Sequence, residues 1–209
     1  MASSQKDLEA AIAATRFGLG AKAGEIAAAS RDPRGYLKAQ IRPEGAETFE
    51  TDGETSTQRL AEFREYRRER AMADQAGKDK DGAAADPVKM AQQFIRRNAQ
   101  GDVQARTLLG ATTDASFRER WALFWANHFT VSATKVQTST LVGPFENEAI
   151  RPHVFGRFAD LLGAAETHPA MLLYLDQAQS VGPNSRAAEF QARAGARRGV
   201  GLGGPAGPP

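Results

Sequence analysis

Residues 118–132 read Arg-Glu-Arg-Trp-Ala-Leu-Phe-Trp-Ala-Asn-His-Phe-Thr-Val-Ser. With Phe117 they place rings at 117, 121, 124, 125 and 128, the last an imidazole. Steps of three and four residues follow one face of a 3.6-residue helix and fit no two-residue alternation. The spacing predicts a helix capped by Asp114 or Ser116 and ended by Phe129-Thr-Val-Ser. Its stripe of Phe117, Trp121, Phe124, Trp125 and Phe129 reads as core, because large apolar residues at helical spacing pack inward more often than they stack on a sugar or base. Full burial of each such side chain would contribute about 2–3 kcal/mol.

Outward from that helix, the rest of the chain repeats the helical pattern. Pro144 opens a helix through Ile150, stopped by Pro152. Gly156-Arg-Phe-Ala-Asp-Leu-Leu starts another, with Phe158, Leu161, Leu162 and Ala165 on one face, and Pro169 opens a short one to Leu175. Val131 to Val142 is a Ser/Thr-rich connection with room for a short extended piece. Towards the N-terminus, Asp86-Pro87 starts a helix to about Leu109, with a break expected near Gly101. Gln58 to Gln75 is a charged helix with a thin stripe of Leu60, Phe63, Tyr66 and Met72, which suits a solvated arm or a protein-partner surface. Residues 42–56 read as an acidic loop, and Gly77 to Asp86 as a linker. Three short Ala-rich helices open the chain: one with a Ser4/Asp7 capping box and Leu8, Ala11, Ile12 and Thr15 in register, one over 22–30, and one begun by Asp32-Pro33.

The fold class is therefore all-α, a multi-helix bundle with no sheet of any size. Its expected regions are 1–41 (short helices), 42–86 (loop, charged helix, linker), 87–185 (helical core) and 186–209, a disordered Gly/Pro-rich tail that lacks the apolar area to offset ordering.

Composition narrows the function. The chain has 209 residues and no cysteine, which excludes a disulfide scaffold, a thiol nucleophile and thiolate metal sites. Hydrophobic residues make up 41%, but 39 alanines leave fewer large core-formers than that figure suggests. No run approaches a membrane span. The net charge of +2 lies in the tail, where four Arg face one Glu after residue 185, so the rest is near neutral. A basic stripe on a folded element is absent, and no nucleic-acid partner is expected. Acidic Asp7 and Glu9 precede any apolar run, so no secretory signal is read and the default location is cytoplasmic.

A family resemblance adds to this. Residues 118–132, Phe145-Glu-Asn-Glu-Ala-Ile-Arg-Pro-His (145–153), Gly156 to Leu162, His168-Pro-Ala-Met-Leu-Leu-Tyr-Leu-Asp (168–176) and Gln179-Ser-Val-Gly-Pro-Asn-Ser (179–185) occur in the order that resembles the bacterial DUF1800 family. Arg16-Phe-Gly-Leu-Gly resembles its opening, and weaker similarity runs over roughly 8–185. Position 177 is Gln where similar chains carry Asn. Those chains continue well beyond this point, whereas here Arg193-Ala-Gly-Ala-Arg-Arg leads into Gly and Pro. The expectation is a truncated or frameshifted N-terminal portion. The resemblance implies no particular reaction.

Candidate chemistry centres on three histidines and one acid. His128, His153, His168 and Asp176 together offer a ligand set for a divalent metal, with Glu146 and Glu148 nearby. Their spacings match no helical His-Glu-x-x-His pair, so each imidazole has an equally available structural reading: a core residue at 128, turn or cap residues at 153 and 168. Asn127, His128 and Asp176 are the catalytic candidates. Asn beside His orients an imidazole in acyl transfer, but the nearest nucleophiles, Ser132 and Ser139, sit in no Gly-x-Ser-x-Gly elbow, and Asn127 equally suits a helix end. Asp176 closes a helix, where its charge opposes the dipole and calls for a partner such as Arg186, an amide or a cation. Gly182-Pro183-Asn184 reads as a tight turn. Two functions follow: a helical scaffold or interaction module, or a metal-dependent or other hydrolase-like enzyme with half its site in this chain.

Overall fold

The computed structural model describes residues 4–51, 54–75, 87–177 and 180–199, with the backbone alone at 70, 73–75, 87–92, 191 and 195–199. Among them are eleven α-helices, two π-helical turns and one 3-10 turn, and no strand. The chain divides into two units, Met1–Leu175 and Asp176–Pro209.

In the first unit, α1 (Gln5–Ile12) begins with the expected capping box. Ser4 Oγ accepts from the Asp7 amide at 3.2 Å, and Asp7 Oδ2 accepts from the Ser4 amide at 3.0 Å. The helix continues through a π-turn (Ala13–Phe17) into α2 (Glu25–Ser30) and α3 (Pro33–Lys38), the last capped by Asp32 onto the Gly35 amide at 2.9 Å. The packing face is alanine. Ala10, Ala13 and Ala29 form a small core with Tyr36 and Leu37, while Leu8 and Ile12 stay 51% and 39% exposed. Side chains that end at Cβ let helices approach closely, and the larger residues are left outside.

Next come α4 (Ser56–Gln75) and α5 (Pro87–Thr112), then α6 (Ser116–His128), α7 (Val136–Ser139) and α8 (Val142–Phe145). The expected linker 77–86 lies outside the described residues. Helix α5 runs through Gly101 without a break, and the connection after α6 holds a helical turn, α7, rather than an extended piece. A π-turn (Glu146–Ile150) and a 3-10 turn (Arg151–His153) prolong α8 past Pro152, which takes a first-turn position where its missing N–H costs nothing. Helices α9 (Phe158–Thr167) and α10 (Pro169–Tyr174) close the unit. Its main core gathers Ala122, Phe129, Val131, Leu141, Phe145, Ile150, Leu161, Ala165 and Met171.

Helix α6 corrects the opening expectation. Its deeply buried side is Ser116, Arg118, Glu119 and Ala122. Of the aromatic stripe only Phe129 is buried; Phe117, Trp121 and Trp125 are half-buried and Phe124 is 51% exposed. Trp121 and Trp125 pack against the core from its margin. The helix is turned so that its charges enter the interior, because partners there satisfy them.

In the second unit, Ser185 Oγ accepts from the Ala188 amide at 3.2 Å and heads α11 (Arg186–Gly199). The expected disorder from residue 186 is thus corrected for fourteen residues: an N-cap and an Ala-rich start outweigh the approach of glycine. Residues 200–209 lie outside the described residues.

Candidate functional site

The best-built polar region of the first unit lies under the segment 40–51, which from residue 42 on belongs to the stretch 42–56 read from sequence as an acidic loop. It has no repeating backbone hydrogen bonds of its own, and side chains from four other elements supply them. Arg151, fully buried, donates from Nη1 to Glu47 O at 2.6 Å and stacks its guanidinium 5.0 Å from the Phe49 ring centroid. Asn147 pairs with both backbone groups of Phe49, at 3.2 and 2.8 Å. Arg118 donates from Nε to Gln40 O at 2.6 Å and pairs with Glu47. Arg59, 1% exposed, reaches Thr51 O.

The same guanidiniums are neutralised inside the fold. Arg151 is held by Glu119 through two parallel bonds of 2.8 and 2.7 Å, and by Glu146 Oε1 at 2.7 Å. Arg106 Nε holds the other Glu146 oxygen at 2.8 Å. Arg59 grips Asp102 through two bonds of 2.7 and 2.8 Å and donates to Thr140 O. Burial would push the Arg151 guanidinium down, but Glu119 and Glu146 outweigh it and hold it above its ordinary value. Two glycines make room. A Cβ on Gly45, whose φ is 88°, would sit 2.2 Å from Arg151 O, and one on Gly143 would sit 2.2 Å from Asp102 Oδ2.

Among the described residues of the first unit, the three histidines share no hydrogen bond or ring contact with one another. His168 alone meets a carboxylate: its Nε2 lies 3.1 Å from Glu148 Oε2, and its Nδ1 accepts from the Ala170 amide at 3.1 Å. A ring nitrogen that accepts carries no proton, so Nε2–H is the donor to Glu148 and the tautomer is set. Glu148 also accepts from the Ser56 amide and hydroxyl, both at 2.7 Å, and so anchors the start of α4. Burial lowers the His168 imidazole below its ordinary value, with Glu148 opposing in part. Burial acts to raise the Glu148 carboxyl, but the Ser56 hydroxyl and amide, with His168, bring it below its ordinary value. Ser56, Glu148 and His168 contain the three residue types of a hydrolytic triad in a different order. The carboxylate is central, the serine bonds to it, and the imidazole lone pair caps α10, so no base faces the hydroxyl.

His128 is exposed at the end of α6, its ring 4.9 Å from Phe129 and 5.5 Å from Trp125, centroid to centroid. His153 is half-buried in the 3-10 turn, where its carbonyl accepts from the Gly156 amide. Asp176 begins the second unit with φ 56°, the left-handed position after the last turn of α10, a conformation Asp tolerates better than most residues. Among the described residues no three His, Asp or Glu side chains are grouped to hold a metal ion.

Asn127 lines a cavity of about 240 Å³ with Phe49, Asp102, Arg106, Thr130, Val142 and Glu146 among its walls. The Ser132 hydroxyl makes no hydrogen bond among those described, and Ser139 Oγ donates to the Val136 carbonyl, so neither is presented to His128 as a nucleophile. Residue-level reading missed Arg59, Arg118 and Arg151. Their signal, an Arg within an otherwise helical segment, does not differ from that of a solvated residue until its carboxylate partner is known.

These features define a class: an all-helical bundle whose interior is braced by Arg–carboxylate pairs around a structureless strap. The family model described as "Protein of unknown function (DUF1800)" matches residues 12–191, and the chain belongs to that family. None of the curated proteins and none of the solved structures matches it.

Proposed function

We propose that this chain acts as a helical scaffold that engages a protein partner through the charged outer face of α4, without chemistry of its own. The supporting observation is the commitment of its buried ionisable groups: Arg59, Arg118, Arg151 and Glu148 bond backbone of the strap or of α4, and both His168 ring nitrogens are engaged. What α4 leaves exposed is a mixed-charge surface with Arg64, Glu65, Arg68 and Glu69, suited to a partner of alternating charge. No helix among the described residues is long and apolar enough to cross a membrane. A cytoplasmic setting is part of the proposal and is tested by fractionating the cells that make the chain.

Two measurements decide the reading. Metal analysis of the purified chain, with thermal unfolding in chelator, is expected to give no stoichiometric metal and an unchanged midpoint; bound metal whose removal lowers the midpoint would overturn it. Site-specific photo-crosslinking from position 68 in cells is expected to trap a discrete protein, and the trap is expected to vanish when Arg64 and Arg68 are both changed to Glu. A crosslink that survives the charge reversal would remove α4 as the contact surface.

A further inference from the structure

Helix α1 and the π-turn that prolongs it pack inward through alanine, and their opposite side carries the larger residues. Ala10, Ala13 and Ala14 are buried. Leu8 and Ile12, one turn apart, and Thr15 after them run along the outer side, where all three are exposed. The Thr15 hydroxyl donates to the Ala11 carbonyl at 2.6 Å, so its polar atom is satisfied within the helix. Scattered exposed aliphatic residues need no explanation, but these are aligned on one helix face, and an aligned apolar stripe pointing away from the core suits a contact surface.

The charges beside the stripe select what covers it. Glu9 in α1 and Arg16 in the π-turn are both exposed, opposite in sign and seven residues apart, so they border the same edge about two turns from each other. Glu9 Oε1 accepts from Gln5 Nε2 at 3.1 Å, which leaves Oε2 for a further donor. A two-fold axis that sets two copies of α1 antiparallel keeps each edge beside the same edge of the other copy. With that axis at Ile12, position 8 faces position 16 and position 9 faces position 15, so Glu9 comes within one residue's rise of the partner's Arg16. A parallel pair would set like charges together, and a partner of a single sign would leave one of the two residues facing its like. We propose that α1 is the contact surface of a homodimer, a second copy of this chain lying antiparallel on Leu8 and Ile12 with reciprocal Glu9–Arg16 ion pairs. One short helix from each copy places the contact at the small, transient end of interface sizes, below about 1,200 Å². The inference is independent of the scaffold reading, since α1 shares no residue with the exposed face of α4.

The test is sedimentation equilibrium of the whole chain from micromolar to millimolar concentration, where monomer is expected to pass into dimer. Ile12→Glu is expected to abolish the dimer with an unchanged circular dichroism spectrum, because position 12 lies outside the alanine core. Glu9→Arg and Arg16→Glu are each expected to weaken association by about tenfold, through two lost ion pairs and the like charges that replace them. The double exchange is expected to restore the dimer, which a merely structural role for either residue would not do. A chain that stays monomeric throughout, a dimer that survives Ile12→Glu, or a double exchange as weak as the single ones would overturn the proposal.

Discussion

Arg151 is the residue on which the interior depends most. It is fully buried, holds Glu119 and Glu146 by side chain and holds the strap through Glu47 O. Arg151→Met would strand the buried Glu119 carboxylate and leave Glu146 with Arg106 alone, and removing one partner of such a set costs about 3–5 kcal/mol. Urea unfolding is expected to show a loss of that size, and a change near zero would mean the pairs are not desolvated. Gly45 is a second sensitive point. Gly45→Ala adds a Cβ 2.2 Å from Arg151 O at a positive φ, and is expected to destabilise by about 1–3 kcal/mol. At His168 the direction of the pH effect follows from burial. The unfolded imidazole takes up a proton near its ordinary value of 6.5, whereas the folded one does so only at lower pH. The unfolded state therefore binds more protons in that interval, so stability is complete above about pH 6.5 and falls as the solution is acidified. Glu148, lowered from 4.5, extends the decline below that value. His168→Asn retains a capping acceptor and is expected to flatten the slope between pH 6.5 and 5 in urea-midpoint measurements.

Among the elements, α6 and α4 show how pattern and environment part. The aromatic spacing of 117–129 identified α6 as a helix, and Ser116–His128 is one. Which side faces in was not readable, because hydropathy scores Arg118 and Glu119 as surface residues until Arg151, Gln40 and Glu47 are brought beside them. Phe124→Ser is accordingly expected to change stability by under about 1 kcal/mol, unlike a core Phe; a loss above 3 kcal/mol would restore the aromatic-core reading. Helix α4 is attached at its start, where Ser56 meets Glu148, Arg59 meets Asp102 and Phe63 is buried, while Arg67, Arg68 and Met72 are exposed. Its amides beyond Tyr66 are expected to exchange hydrogen much faster than those of α6 and α9. Equal protection along the helix would mean that its outer half is covered.

For the whole molecule, helix content and order came from local chemistry. Capping at Ser4 and Asp32, proline at 33, 87 and 169, and three- and four-residue spacing act within one turn of the chain, so sequence alone determined an all-α architecture and most helix starts. The disorder expected from residue 186 missed the cap at Ser185 because a compositional average overrode one hydroxyl. Site assembly was legible only in part. His168 was named, but its partner Glu148 lies 20 residues away in the chain, and Ser56, which bonds that carboxylate, lies 92 residues from it. The strap was read as a loop because the groups that satisfy its backbone, Arg59, Arg118, Asn147 and Arg151, belong to other helices. Tertiary structure decided which charges are buried, which aromatic rings stay at the margin and where cavities open. The physical reason is that desolvating a charge is unfavourable alone and tolerable in a pair, and the pairing partner is set by the fold rather than by neighbours in the chain.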